Sequence, residues 1–509
     1  MSLVLLPSQE EARAIHDAGR PQVVWTRLID DLETPVSAYL KLGHGRPYAF
    51  LYESVEGGAW RGRYSIITLD PDLVWRSLGD KAEMAEGEAV GQNRFTPVKE
   101  DALTSLRKLA ADCRFDLPGV LPPMASGLFG VLGYDMIRLV EPLGPANPDP
   151  LNLPDAVMTR PSLVAVFDAI AQEIIVCTTI WPKAGFSFDA AWKAASDRIE
   201  SLSKGLKKSL PERKEATPFS AGPLVSTKDR AGYGQMVEKA KHYIAAGDIF
   251  QVVPSHRFSA PFSADPFALY RSLRRTNPSP FLYYLNFGEF QLAGSSPEIL
   301  VRLRDGKVSI RPIAGTRPRG KTPAEDLALE AELLADPKER AEHLMLLDLG
   351  RNDVGRAVMP REGDNAPFDH PRVRVTESFI IERYSHVMHI VSNVEGDAPH
   401  DLDPIDVILT ALPAGTLSGA PKVRAMQIIA ELEDVKRGVG YGGAAGYISA
   451  NGSVDACIVL RTALIKDGRM YVQAGGGVVA DSDPSAEYDE TVHKSNAVRR
   501  AAEEAWRFS

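Results

Sequence analysis

Runs of alternating or β-branched residues recur along the chain. Residues 47–54, 64–69 and 73–78 predict strands, with Asp70-Pro71 and Gly79-Asp80 as turns. Residues 161–167 and 173–180 are β-branched and predict a hairpin. Apolar positions at helical spacing fill 101–113 and 188–206. In the second half, Asp305-Gly306 joins 299–304 to 307–313, Asn451-Gly452 joins 443–449 to 453–463, and Asp467-Gly468 joins 461–466 to 469–474. Each Asx-Gly pair supplies the positive φ that a tight antiparallel turn needs. Helices are predicted over 229–246, 322–334, 338–348 and 483–506. Hairpins with separate helices predict an α+β fold, with antiparallel β-sheets packed as a sandwich and helices around it. The stretch 201–222 (SLSKGLKKSLPERKEATPFSAG) is basic, contains Pro and is poor in large apolar residues, so it reads as a linker. It divides the chain into a smaller N-terminal part, 1–222, and a larger C-terminal part, 223–509.

Composition narrows the function. The 509 residues are 44% hydrophobic and 25% charged, ordinary for a globular chain. Lys and Arg number 58 against 67 Asp and Glu, a net charge of −9 without the basic footprint of a nucleic-acid binder. An anionic ligand must therefore be held by local cations. Cys113, Cys177 and Cys457 are far apart and fit neither zinc spacing nor a disulfide framework, which suits a reducing compartment. The N-terminal stretch has no basic n-region and meets Gln9, Glu10 and Glu11 early, unlike a signal peptide. No uncharged apolar run reaches the roughly 18 residues of a membrane span. A soluble cytoplasmic protein, with neither nucleic acid nor membrane as partner, is the expectation.

One motif misleads. Gly315 to Thr322 (GTRPRGKT) fits the phosphate-binding pattern G-x-x-x-x-G-K-[ST], after a predicted strand and before a predicted helix. That strand, however, alternates, with Lys307, Ser309 and Arg311 on one face, whereas a P-loop strand lies in a parallel sheet and is apolar on both. Pro318 also removes an N–H from the loop that would cradle phosphate. The apolar run 344–348 (LMLLD), which ends in Asp348, continues a helical pattern and is not a companion strand.

Other residues suggest chemistry. Glu298 ends a turn (GSSPE), and Glu342 precedes His343 in a charged helix. Glu487 and Glu490 lie three apart on the last predicted helix, which Asp483 and Pro484 start well. Lys494 follows Glu490 by four on the same face. Spacing fits either a surface ion pair or a Mg²⁺ site, which takes one or two carboxylates and completes its shell with water and substrate oxygens. Gly475, Gly476 and Gly477 let a ligand approach the backbone closely. Arg461 lies in an otherwise apolar strand, so it either pairs internally or binds an anionic substrate. His389 sits in an alternating run (SHVMHI), and spacing alone gives it no role. Cation, Arg, Lys and free N–H groups together describe a pocket for a small dicarboxylate.

Ordered blocks then carry a resemblance: 249–253 (IFQVV), 294–298 (GSSPE), 312–320, 336–353 (DPKERAEHLMLLDLGRND), 415–426 (GTLSGAPKVRAM) and 475–494. Across about 229–502 the chain resembles the chorismate-utilising enzymes, and among them the family of anthranilate synthase large subunits. PVSAY at 35–39, Glu53-Ser54, RYS at 63–65 and GVLGYD at 130–135 extend it over the N-terminal part. The resemblance implies Mg²⁺-dependent conversion of chorismate and ammonia to anthranilate and pyruvate. By position it implies Glu342 and Glu490 as metal carboxylates, with Glu487 close by. It implies Gly315, Thr316, Tyr441, Arg461, Gly475, Gly476, Gly477 and Lys494 as chorismate-binding, with Thr316 counted among the catalytic groups as well. Glu298 is implied as the acid that protonates the departing ring hydroxyl, and His389 as serving the later loss of pyruvate. Isochorismate and salicylate synthases carry a Lys base where this chain has Gln251, and aminodeoxychorismate synthases a nucleophilic Lys where it has Ala314. Aminodeoxychorismate synthase component I is the alternative. No cysteine sits in a Gly-x-Cys-x-Gly elbow, so the resemblance implies a separate glutamine amidotransferase subunit, in a heterotetramer of two large and two small subunits. It also implies a tryptophan feedback site. There Glu53 and Ser54 meet the amino group and backbone, and Pro280, Phe281 and Leu282 form an apolar slot. Leu51-Tyr52 and Phe281-Leu282 depart from the Leu-Leu and Tyr-Met of many relatives.

Overall fold

The computed structural model describes residues 3–54, 62–182, 186–212, 222–359, 373–384 and 387–508. Residues 213–221 of the predicted linker, and Ser385 and His386 in the run before His389, lie outside them. The strands among the described residues pair antiparallel. The Asx-Gly turns form as expected, with Asp305 at φ 52°, Gly306 at 69°, Asp467 at 50° and Gly468 at 69°. Helices start where their caps predict. Asp101, Asp229, Thr322 and Asp483 each accept backbone N–H groups of the first turn, which is worth about 1 kcal/mol per cap.

Hydrogen bonding crosses residue 222. Strand Phe50–Ser54 pairs with Phe281–Asn286, placing Ser54 opposite Phe281 and Glu53 opposite Leu282. Strand Gly127–Leu132 pairs with Ala444–Ser449. The two halves of the chain thus share one continuous network of strands. One core cluster is built largely from strands of both halves, among them Phe50, Val131, Val164, Tyr283 and Leu464, and fills the space between sheet faces. Two others set outer sheet faces against helices, one including Tyr39, Ile199, Tyr270 and Val498, the other Leu106, Leu347, Val354 and Ile408. This is the expected sandwich with surrounding helices.

Several boundaries differ from the sequence reading, and the strand expected over 307–313 ends at Ile310, with a new strand beginning at Ile313. The strands expected at 64–69 and 73–78 are one, Tyr64–Leu78, because its partner Ala156–Asp168 runs unbroken beside it. Asp70 at φ 48° and a bulge between Pro71 and Leu73 absorb the expected turn. The strand expected over 453–463 instead breaks into Val454–Ile458 and Thr462–Lys466, with Arg461 at φ 48° between them. The helix expected at 338–348 runs on as Pro337–Ala357, burying Leu346, Leu347, Val354 and Ala357.

Candidate active site

A cleft of about 640 Å³ opens between the strand Ile313–Pro318, the helix Pro337–Ala357 and the C-terminal helix Pro484–Glu504. It is lined by Glu298, Gly315, Thr316, Glu342, His389, Tyr441, Arg461, Gly475, Gly477, Glu490 and Lys494. The P-loop match falls on its rim with no free cradle. Gly320 N–H donates to Asp326 at 2.9 Å, Lys321 N–H to Glu325 at 2.8 Å, and Arg317 pairs with Glu332, Asp336 and Glu339.

Arg461 owes its position to the break in its strand. The left-handed turn lifts it out of the pairing pattern of Val454–Ile458 and Thr462–Lys466, and its carbonyl accepts Ser295 N–H at 3.3 Å. Among the described residues no hydrogen bond or ion pair engages its guanidinium, and burial pulls its pKa down. A half-buried guanidinium without a partner favours an anionic ligand. Glu298 lies nearby, 8% exposed, with Oε2 accepting Thr416 Oγ1 at 3.1 Å. Burial pushes its carboxyl up to about 8, against the opposing pull of Thr416 and Arg461, so it is protonated near neutrality.

His389 faces Thr316 across adjacent strands. Its Nδ1 lies 3.0 Å from the Gly315 carbonyl and 3.0 Å from Thr316 Oγ1. A carbonyl only accepts, so Nδ1 carries the proton and Nε2 keeps a lone pair. Burial lowers the imidazole's pKa and keeps it neutral. Gly315 makes this geometry possible. It sits at φ 69° in a bulge, and a Cβ there would lie 3.1 Å from Glu339 Oε2 and Leu333.

The acidic end of the cleft holds Glu339, Glu342, Glu487 and Glu490. Burial, then the charges of Glu339 and Glu490, raise the Glu342 pKa; burial and Glu490 raise that of Glu487. Glu490 pairs with Lys494 at 2.7 Å, whose Nζ also donates to the Gly475 carbonyl at 2.9 Å. Glu487 Oε1 accepts Ser482 Oγ at 2.7 Å, while its buried Oε2 has no hydrogen-bond partner among the described residues. Crowded carboxylates, with one oxygen orphaned, form an oxygen-only donor set that fits a hard divalent cation. No three His, Cys, Asp or Glu side chains converge as a closed metal cage among the described residues. Gly475 is sterically required, since a Cβ there would lie 2.6 Å from the Pro254 carbonyl oxygen; on Gly476 and Gly477 a Cβ would meet only movable side-chain ends, Glu487 Oε2 at 2.6 Å and Gln251 Nε2 at 2.5 Å.

Sequence reasoning missed several contributors. Thr416 and Glu339 stand inside quoted blocks but carry no signal as polar residues alone. Arg437 and Glu433 form a fully buried ion pair behind the cleft. Arg437 donates to the carbonyls of Val253 at 2.7 Å and Leu417 at 2.8 Å, and Glu433 accepts from Ser255. The pair ties the segments carrying Gln251 and Thr416 together, and its guanidinium underlies the Tyr441 ring at 5.2 Å.

A second pocket, of about 390 Å³, is lined by Ser54, Pro280, Phe281 and Leu282, with Glu53 on the same strand. Ser54 Oγ donates to the Pro280 carbonyl at 3.2 Å. The Glu53 carboxylate, however, is already engaged by Tyr270 and by Arg274, at 2.9 and 3.1 Å. Its negative charge is matched inside the fold.

No helix among the described residues is long and apolar enough to cross a membrane. The sequence model of the chorismate binding enzymes matches residues 58–500. The chain is 55% identical to anthranilate synthase component 1 of Cereibacter sphaeroides, over 97% of this chain and 96% of that one. It is 47% identical to that of Pseudomonas aeruginosa, over 92% and 93%. Its structure matches anthranilate synthase component I of Streptococcus pneumoniae with a TM-score of 0.74 at 35% identity, covering 93% of this chain and 99% of that one. The menaquinone-specific isochorismate synthase of Escherichia coli, at 20% identity, a TM-score of 0.69 and coverage of 95% and 94%, shares the fold. The cleft, the sequence and the fold agree: the chain belongs to the chorismate-binding enzymes, in the family of anthranilate synthase component 1.

Proposed function

We propose that the protein is the lyase that converts chorismate and ammonia into anthranilate, pyruvate and water. The observation that carries this reading is one cleft holding an unpaired, half-buried Arg461, a Glu298 held protonated near neutrality, and a His389 with its Nε2 lone pair available. Arg461 binds one substrate carboxylate, and the backbone at Gly475 and Gly477 and the Tyr441 hydroxyl orient the ring; Gly476, expected beside them, is outside the cleft lining and its N–H is already donated to the Tyr233 hydroxyl at 3.2 Å. Glu298 donates its proton to the departing ring hydroxyl, which leaves as water while ammonia enters. His389 serves the second stage, in which pyruvate is lost and the ring becomes aromatic. Glu342 and Glu490, with Glu487 beside them, would hold Mg²⁺, which supplies positive charge against the second carboxylate of the substrate. Gln251 offers no base to activate water, and the Ala314 methyl offers no nucleophile, which favours amination carried through to anthranilate.

Ammonia is proposed to come from a separate glutamine amidotransferase subunit, a partner that the relatives' designation as component 1 supports. The 390 Å³ pocket is the proposed seat of tryptophan, acting as feedback inhibitor. Ser54 faces it with Pro280, Phe281 and Leu282. Glu53 contributes by holding its strand through Arg274 and Tyr270. The test is an assay with chorismate, Mg²⁺ and ammonium sulfate. Fluorescent anthranilate supports the reading; an aminated, non-fluorescent product would assign the chain to aminodeoxychorismate formation; silence would reject both.

A further inference from the structure

The two cavities share a wall. Pro297 and Ile313 line both the 640 Å³ cleft and the 390 Å³ pocket. On the pocket side of this wall stand Arg311, Glu382 and Tyr384. Glu382 is buried and lies directly opposite His389 in the pairing of Val373–Arg383 with Val387–Asp397. Its carboxylate accepts from Arg311 Nη2 on one oxygen and from the Tyr384 hydroxyl, at 2.8 Å, on the other. The Tyr384 ring in turn meets the His389 imidazole edge-on, with centroids 5.5 Å apart and planes at 65°. His389 is therefore held from two directions: Gly315 and Thr316 fix Nδ1 from the cleft, and Tyr384, itself fixed by Glu382, packs on the ring from the pocket.

We propose that Glu382 and Tyr384 are positioning residues for His389, acting on it from the pocket side of the shared wall. The proposal rests on the reading of His389 as a group that serves the reaction. Neither residue touches the substrate in that reading; Tyr384 sets the imidazole plane, and Glu382 holds Tyr384 and favours the imidazolium from the strand opposite. The groups facing the imidazole are the Gly315 carbonyl and Thr316 hydroxyl from one strand, Glu382 and Tyr384 from the other, and Arg461 from the turn before Thr462–Lys466. Burial and Arg461 disfavour the imidazolium, while the Gly315 carbonyl and Glu382 favour it. Removing the Glu382 charge therefore moves the His389 titration to lower pH. Because both residues also line the 390 Å³ pocket, an occupant there touches the groups that hold His389.

The test reads His389 directly. Protein with isotope-labelled histidine is titrated by NMR, with the resonance assigned through His389→Gln, for the wild type, Glu382→Gln and Tyr384→Phe. Glu382→Gln should lower the His389 midpoint by roughly half a unit or more. The acid limb of the kcat profile should move the same way, with KM for chorismate within about twofold, since only the reacting step is touched. Tyr384→Phe keeps the ring but frees it from Glu382, so the His389 resonance should shift and kcat should fall several-fold at unchanged KM. It also serves as the deciding variant if Glu382→Gln does not fold. Titration curves and resonances that superimpose on wild type would overturn the proposal. If wild type makes no anthranilate, the functional reading fails, while the NMR arm still decides whether Glu382 and Tyr384 govern His389.

Discussion

Glu298→Gln should move activity and stability in opposite directions. In the native fold the carboxyl sits near 8 instead of its ordinary 4.5, so roughly nine molecules in ten carry the proton at pH 7. Gln has the same shape, is neutral, and can still accept from Thr416, so the fold loses nothing. It has no proton to give, and loss of a general acid costs about 10²- to 10⁴-fold in kcat. The stability effect follows from linkage. Between pH 4.5 and about 8 the unfolded chain releases this proton while the folded chain keeps it, so wild-type stability falls as pH rises through that window. At about 1.4 kcal/mol per unit the total comes to at most about 5 kcal/mol by pH 8. Glu298→Gln escapes this cost. Its melting temperature should exceed that of wild type, by little near pH 5 and by most near pH 8. Anthranilate fluorescence with chorismate and ammonium, and thermal unfolding across that pH range, check both halves. The wild-type rate at constant free ammonia should also decline above about pH 8 as Glu298 loses its proton. A variant with near-normal kcat, or a stability gap that does not widen with pH, would refute the reasoning.

Glu490→Gln should abolish Mg²⁺-dependent turnover with an unchanged melting temperature, because it removes a proposed metal carboxylate and leaves only a half-exposed Lys494 unpaired; wild-type rates would remove Glu490 from the proposed metal site. Ser54→Ala should raise the tryptophan concentration needed for half-inhibition several-fold without changing uninhibited kcat, and an unchanged inhibition curve would take Ser54 out of that pocket. Mg²⁺ should tighten chorismate binding by about tenfold, and chorismate should tighten Mg²⁺ by the same factor; calorimetric titrations of each in the presence and absence of the other would read this.

Local chemistry was legible where one short stretch decides it. Asp305-Gly306 and Asp467-Gly468 fix their turns by backbone geometry, and Asp101, Asp229, Thr322 and Asp483 cap their helices with their own side chains. Residues that depend on a distant partner were not. Asp70-Pro71 has the composition of a turn, but Ala156–Asp168 holds both sides of it in one ladder, and a bulge costs less than a lost strand. Arg461 read as the end of a strand because nothing in Ile458-Val459-Leu460 signals a left-handed residue. The pairing of Phe50–Ser54 with Phe281–Asn286 joins residues more than two hundred apart, beyond any local pattern. In the site, Arg461 stood out as a charge in an otherwise apolar strand, whereas Glu342 and Glu490 were singled out as metal carboxylates only through the family resemblance. Glu382 and Tyr384 did not stand out, since an alternating strand carries a Glu and a Tyr without remark, and only the sheet puts them beside His389.

The charges of the cleft are unbalanced in two opposite senses, and that imbalance explains why cation and substrate should bind as a pair. At one end Arg461 is half-buried without an anionic partner among the described residues, and desolvation opposes its charge. At the other, Glu342 and Glu487 sit above their ordinary range because burial and neighbouring carboxylates, Glu490 among them, oppose theirs. A dicarboxylate arriving alone would satisfy Arg461 while bringing a second negative charge towards Glu342, Glu487 and Glu490. A divalent cation arriving alone would settle the acidic end, including the orphaned Glu487 Oε2, but would leave Arg461 unmatched. With both present each charge in the cleft faces its opposite, so each ligand removes a cost that the other would otherwise bear. The same balance keeps Glu298 useful. It lies nearer Arg461 than the acidic cluster, and a substrate carboxylate that takes up the Arg461 charge removes one of the two influences lowering its pKa. The acid is then most firmly protonated when the substrate whose hydroxyl it must protonate is in place.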